Sequence, residues 1–376
     1  MTPPDDDPAL RALVERVRAA QADGSALEIA GHGSKAFYGG PRHGEALHTA
    51  GLTGISSYEP TELVVSARAG TPIAELEAAL AEQGQCLPFE PPRFRIGSVA
   101  KGTVGGLFAT GLSGPSRASV GAVRDHVLGA TLLNGRAEVL SFGGQVMKNV
   151  AGYDVSRLLC GSMGVLGVVL EVSLKVLPVQ PATATLRFEL DEAAALEQLN
   201  AWGGQPLPVS ASAWWSGMLL LRLRGARAAV HAAVDTMLTK HRGEGVDDGM
   251  ATPFWDGLRD HEDEFFVNAR TAVESNTGAA LWRLSVPQTA APVSLPGEQL
   301  IEWGGAQRWW CTAASAATVR EAAQRAGGHA TLFRGGDKAA GVFTPLSAPL
   351  TRIQRELKRE FDPAGVFNRG RLYPDL

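Results

Sequence analysis

Gly31-His32-Gly33-Ser34-Lys35, Gly102-Thr103-Val104-Gly105-Gly106 and Gly161-Ser162-Met163-Gly164-Val165-Leu166-Gly167 are the three loops whose joint reading decides the fold. The tract they bracket, Gly31 to Gly167, holds 24 of the 44 glycines in a chain of 376 residues. Glycine loses more backbone freedom on folding than any other residue. Such a density therefore points to unusual dihedrals or to close approach of backbone to a ligand. Free amides in turns of this kind surround phosphate oxygens, and the hydroxyls of Ser34, Thr103 and Ser113 add donors. None of the loops is a standard nucleotide signature. The first lacks the spacing G-x-x-x-x-G-K-[ST], and Gly161, Gly164 and Gly167 do not spell G-x-G-x-x-G. Each loop alone also reads as a set of tight structural turns. Three in one tract point to an extended dinucleotide held outside a Rossmann fold.

Outward from the loops, the apolar spacing of Leu10, Leu13, Val14 and Val17 predicts a helix over Pro8 to Ala20. Leu27 to Ala30, Leu47 to Leu52 and Leu63 to Ala69 read as strands. Thr71 is the expected N-cap and Pro72 the first residue of a helix that Gly84 stops. Val127 to Leu133 and Ala137 to Phe142 read as a hairpin closed by Asn134-Gly135 in a type I′ turn. Val165 to Val176 is a β-branched run expected to be covered on both faces. Pro178 and Pro181 mark a boundary, beyond which all eight tryptophans lie. That later part mixes strands (Met218 to Leu223, Leu281 to Val286, Gln307 to Cys311) with helices (Ala226 to Lys240, Ala314 to Ala326), the pattern of an α+β unit. An amphipathic helix, Leu350 to Phe361, precedes a Gly/Asn/Arg-rich tail.

The bulk properties narrow the class. With 45% hydrophobic and 20% charged residues the chain is a folded globular protein. A net charge of −4 disfavours non-specific nucleic-acid binding. Cys86, Cys160 and Cys311 form no C-x-x-C pair, which disfavours a disulfide scaffold or an iron–sulfur site in this chain, and no metal site is expected. Met1 to Pro8 is acidic and unlike a signal peptide, and no run of 18 uncharged apolar residues predicts a membrane span.

Residues 25 to 180 resemble the FAD-binding domain of the vanillyl-alcohol oxidase/p-cresol methylhydroxylase flavoproteins. The resemblance rests on the ordered set Gly31 to Lys35, Gly102 to Gly106, Gly114-Pro115-Ser116-Arg117, Arg124 to Gly129, and Gly152-Tyr153-Asp154 leading to Gly161–Gly167. Within that superfamily, Gly33-Ser34-Lys35-Ala36-Phe37-Tyr38-Gly39, Val146 to Asp154 and Phe361 to Asn368 resemble the FAD-binding subunits of glycolate oxidases. The resemblance implies an α+β fold: a PCMH-type FAD-binding domain of two α+β subdomains over 1–180, an α+β cap-like domain over 181–345, and a C-terminal helix and tail over 346–376 that returns toward the flavin. It implies non-covalent FAD. Gly31, His32, Gly33, Ser34 and Lys35 with Gly102, Thr103, Val104, Gly105 and Gly106 would approach the pyrophosphate. Ser113 would add a hydroxyl, Arg117 would support the phosphate region, Gly161, Gly164, Gly167 and Val168 would lie along the nucleotide, and Asn368 and Arg371 would return toward the flavin. The tail departs from the family's pattern, reading Asn368-Arg369-Gly370-Arg371 where proline commonly follows the asparagine. The implied partners are a larger catalytic flavoprotein subunit and an iron–sulfur subunit. The implied substrate, at the level of the complex, is glycolate or a related 2-hydroxy acid. The implied location is cytoplasmic, with peripheral attachment to the inner membrane face through the complex.

Catalytic residues are not legible. A hydroxy-acid oxidase needs a carboxylate clamp and a base near the hydroxyl. Arg95, Arg334 and Lys338 are clamp candidates. Lys148, Asn149, Tyr153 and Asp154 form a polar loop that either orders the flavin or merely turns, and Tyr153 as acid/base needs a strongly tuned pKa. His32 is either a covalent flavin attachment point or a plain loop residue, and His126 either touches the flavin edge or is a buried hydrogen-bonding residue. His261 and His329 are isolated. Trp214-Trp215 and Trp309-Trp310 would each send one ring inward and one outward on a strand, toward a partner or toward the rim of the core. Three functions stay open: an FAD-binding subunit of a glycolate-oxidising complex, a self-sufficient FAD-dependent 2-hydroxy-acid dehydrogenase, and a non-catalytic assembly subunit.

Overall fold

The protein is described by a computed structural model covering residues 7–97, 99–144, 153–275 and 278–376. The expected first helix is Pro8–Asp23, capped by the Asp7 carboxylate, which accepts from the amides of Ala9 and Leu10. Its buried stripe of Leu10, Leu13, Val14 and Val17 packs on a parallel pair, Leu27–Ala30 with Glu45–His48. The second of these strands begins and ends earlier than the apolar run Leu47 to Leu52 suggested, because Thr49 already turns, its amide donating to Ala30 O.

A five-stranded antiparallel sheet follows, in the spatial order Ile55–Glu59, Val64–Arg68, Val168–Lys175, Val127–Leu133, Val139–Gly143. The central strand Val168–Lys175 is covered on both faces. Val168 and Leu170 join the core under the first helix, while Val169, Val172 and Leu174 join the core on the other side. A register shift between Val169 and Glu171 flips the side-chain parity there. The helix Ile73–Glu82 is capped by Pro72, not Thr71. The Thr71 hydroxyl is held instead by Gly54, bonding its amide and carbonyl at 3.0 and 3.1 Å.

The hairpin turn also differs from expectation. Ala137 N donates to Asn134 O and Asn134 N to Glu138 O, so the connection is a turn followed by a left-handed residue, and that residue is Ala137 at φ 58°. Gly135 serves another purpose. A Cβ there would sit 2.4 Å from Asp362 Oδ1.

The later part is an eight-stranded antiparallel sheet ordered Glu244–Val246, Ala182–Glu189, Met218–Gly225, Val209–Trp215, Glu298–Glu302, Gln307–Thr312, Ala280–Ser285, His329–Gly335. Helices Glu192–Gly203, Arg227–Lys240 and Ala316–Arg325 cover one face. The other face meets Tyr38, Phe94, Leu112 and Met163 of the glycine-rich part. Trp309 lies on this inner face and Trp310 among the outer helices, both buried, so neither ring of that pair is free for a partner. Trp214 is buried against the outer helices, and Trp215 is half-buried with its indole N–H on Glu298. The last helix, Ala348–Phe361, leads into residues 366–376, which run back alongside Leu27. Among the described residues no helix is long and apolar enough to cross a membrane.

Candidate functional site

The three glycine loops meet because their backbones are bonded into one another. Val104 N donates to Thr71 O and Gly105 N to Ala69 O, which seats the helix Val104–Thr110 on the sheet. Gly161 N and Met163 N donate to the carbonyls of Phe108 and Ala109 at the far end of that helix. A Cβ on Gly31 would stand 2.6 Å from Thr103 Oγ1, so the first loop can touch the second only as glycine. Gly164, at φ 75°, admits Asn368, whose side-chain amide donates to Met163 O and accepts from Ile29 N.

These contacts frame an open cleft that runs along all three loops. It is lined by all of Gly31 to Lys35, by Thr103, Gly105 and Gly106, by Gly164 and Gly167, and by Asn368 and Arg371. The remaining site candidates lie off the lining. Val104 is the buried first residue of its helix, and Val168 is buried under the first helix. Gly102 O accepts from Ile73 N, Gly161 is tied to Phe108, and Ser113 Oγ accepts from Val123 N. The Arg117 guanidinium sits 4.5 Å above the Trp303 ring, at the joint with the larger sheet. Arg371 lines the cleft, but its guanidinium donates to the carbonyls of Tyr38 and Gly40. Its work there is to fasten the tail onto the 38–40 segment.

The donors that could hold an anion are concentrated in one loop. The amides of Val104, Gly105 and Gly106 are all used locally, the last on Thr103 Oγ1. By contrast, none of the amides of residues 31–35 donates to another described residue. Beside them the Lys35 ammonium is shut off from solvent without a hydrogen-bond partner. Burial pulls its pKa down to about 8, so it still carries its proton at neutral pH. Five consecutive free amides and a solitary cation, walled by glycines, fit a diphosphate. A dinucleotide such as FAD is therefore compatible with the residues present.

Several lining residues had no sequence signal. Arg42 pairs with Glu28 across the mouth, and Thr49, Thr110 and Met163 complete the walls. The bonds from Thr49 N to Ala30 O and from Met163 N to Ala109 O place two of them there.

The clamp candidates do not form a substrate site. Arg95 is exposed, Arg334 lies 3.7 Å over the Phe37 ring, and Lys338 Nζ donates to Phe37 O and Gly39 O. Between the two sheets, where Phe37, Tyr38 and Phe94 face Phe333 and Trp309, aromatic rings fill the space. His261 is stacked flat on Phe266 at 3.7 Å, and burial holds its pKa well below the ordinary value. His126 bonds Val120 O and lies outside the cleft, with burial again lowering its pKa. Tyr153 is fully exposed, while Lys148 and Asn149 lie outside the described residues.

A family model described as an FAD binding domain matches residues 10–143. Glycolate oxidase subunit GlcE of Escherichia coli (strain K12) is 45% identical over 366 residues, 97% of this chain and 98% of that protein. Glycolate oxidase subunit GlcD of Bacillus subtilis (strain 168) is 29% identical over 143 residues, 38% of this chain and 29% of its own length. The fold is shared with a solved alkyldihydroxyacetonephosphate synthase, at TM-score 0.64 and 15% identity over 95% of this chain and 74% of that one.

Proposed function

The chain belongs to the glycolate oxidase GlcE subunit family of PCMH-type FAD-binding flavoproteins, and from that premise we propose how its cleft serves a glycolate-oxidising complex. It is an FAD-binding subunit of a glycolate oxidase-type complex and carries its FAD non-covalently. Bound FAD would supply a carrier of one or two electrons within the complex. Residues 31–35 bind the diphosphate, Gly106 leaves room for its approach, and Asn368 and Arg371 hold the tail that closes the cleft. The observation that carries this reading is the run of free amides at 31–35 beside the unpartnered Lys35.

The working division is an FAD-binding domain over 1–180, a cap over 181–345 and a returning helix and tail over 346–376. The partners are a larger flavoprotein subunit, which oxidises glycolate to glyoxylate, and an iron–sulfur subunit, which passes electrons toward quinone. The complex sits in the cytoplasm against the inner membrane face. Packed aromatic rings between the two sheets favour this auxiliary role over self-sufficient catalysis.

The purified chain should be yellow, with FAD near one equivalent. Mixed alone with glycolate under anaerobic conditions, it should bleach slowly or not at all. Rapid bleaching would establish a self-sufficient dehydrogenase, and a colourless protein that takes up no added FAD would leave only an assembly role.

A further inference from the structure

Just beyond the first glycine loop, four consecutive carbonyls are shared between two cations. Lys338 Nζ donates to Phe37 O at 2.8 Å and to Gly39 O at 2.9 Å. The Arg371 guanidinium donates to Tyr38 O and Gly40 O. The odd-numbered carbonyls thus go to the turn after the edge strand His329–Gly335 of the larger sheet, and the even-numbered ones to the tail. Burial and the neighbouring Arg371 charge push the Lys338 pKa below its ordinary value, so the carbonyls hold the two cations together against their own repulsion.

The gripped segment has little freedom of its own. A Cβ on Gly39, at φ 91°, would stand 2.7 Å from Met163 Cε, and one on Gly40 2.1 Å from Gly370 O. The segment is also bonded backward onto the loop, Tyr38 N donating to Lys35 O and Ala36 N to Gly33 O. These bonds engage the loop through its carbonyls and leave its amides unused. Phe37 O and Tyr38 N belong to one planar peptide unit. Lys338 therefore holds one side of the plane whose other side holds Lys35 O, although it lies 301 positions from Phe37 in sequence.

Resting on the reading of residues 31–35 as the FAD diphosphate site, we propose that Lys338 is a positioning residue for that loop. It fixes the Phe37–Tyr38 peptide from the larger sheet, and with it the aim of the loop's amides, so that seating of this sheet prepares flavin binding. A ligand that meets a preset loop spends no binding energy on ordering it. A loop only fractionally in that shape lowers the apparent affinity by the same fraction. A lysine that merely tethers the two parts would affect stability and leave affinity alone.

The test uses the full chain stripped of flavin, as wild type, Lys338→Met, Lys338→Arg and Thr185→Val. The last removes the acceptor of the buried Trp255 indole N–H elsewhere on the larger sheet, and so lowers stability without touching the 37–40 segment. FAD affinity is read by quenching of flavin fluorescence, at a temperature where every variant is folded by circular dichroism. Lys338→Met should weaken FAD about tenfold, as the preset fraction of the loop falls. Lys338→Arg, which keeps donors for both carbonyls, should return affinity to within about threefold of wild type. Thr185→Val should bind FAD as wild type does. Should Lys338→Met not fold, Lys338→Gln decides in its place.

Three results overturn the assignment: FAD affinity of the Met variant within about twofold of wild type, no rescue by arginine, or an equal loss in Thr185→Val. Failure of the underlying FAD reading looks different. There the wild-type chain itself takes up no FAD.

Discussion

At the scale of single residues, neighbouring glycines in the second loop have separate tasks. A Cβ on Gly105 would meet Ala69 Cβ at 2.9 Å and Ala69 O at 3.0 Å, so this glycine is needed for the helix to dock on the sheet. A Cβ on Gly106 would meet only Thr103 Oγ1, at 3.3 Å. Gly105→Val should therefore lower stability by about 1–3 kcal/mol, the usual cost of forcing bulk into a packed contact. Gly106→Val should leave the flavin-free melting temperature nearly unchanged and reduce retained FAD, read from the absorbance ratio after purification. The sequence displayed both as equal members of one motif. What separates them is Ala69, which follows the strand Val64–Arg68 well before the motif in the chain, and no local pattern reports on it. Lys35 was similarly visible as a candidate, but its lack of a partner is a property of the folded surroundings alone.

Secondary elements were legible where one face meets one core. The spacing in Pro8–Asp23 announced itself, since apolar periodicity there coincides with burial, whereas the run Val127–Leu133 showed as an unbroken apolar stretch buried almost throughout between two cores. The Asn134-Gly135 turn misled because Gly135 is reserved for the approach of Asp362 and the left-handed position falls to Ala137. Asp362 in turn organises the end of the last helix. It accepts from Val366 N and Phe367 N and pairs at 2.7 Å with Lys358, whose ammonium also donates to Val165 O and Phe367 O. This buried cluster ties the tail to the third glycine loop. Asp362→Ala would strand the Lys358 charge and should cost about 3–5 kcal/mol, measured by denaturant unfolding, with loss of FAD retention as the tail loosens.

For the whole molecule, the two sheets are joined by charge as well as by aromatic packing. Glu90 accepts from Arg222 with both oxygens, at 2.9 and 2.8 Å, and from Arg224 at 2.7 Å. Burial opposes the charge on Glu90, but the two guanidiniums outweigh it and hold the carboxyl below its ordinary range. Ser116 completes the joint by bonding both partners. Thus Ser116, next to the Arg117 that was expected to support the phosphate region, links the two sheets. Glu90→Ala leaves Arg222 buried without its carboxylate and should destabilise the chain by about 3–5 kcal/mol, exposing the connection near 178–182 to limited proteolysis. The seam between Ile29 and Asn368 has a consequence in time. These residues are 339 positions apart, and at a synthesis rate of about 5–20 residues per second the ribosome needs on the order of tens of seconds to travel from one to the other. For that interval the nascent chain carries the Gly31–Lys35 loop with no tail to seal it. A sealed flavin cleft is therefore reached only once Asn368 has been made, and any cellular factor that shields the open loop must act before then.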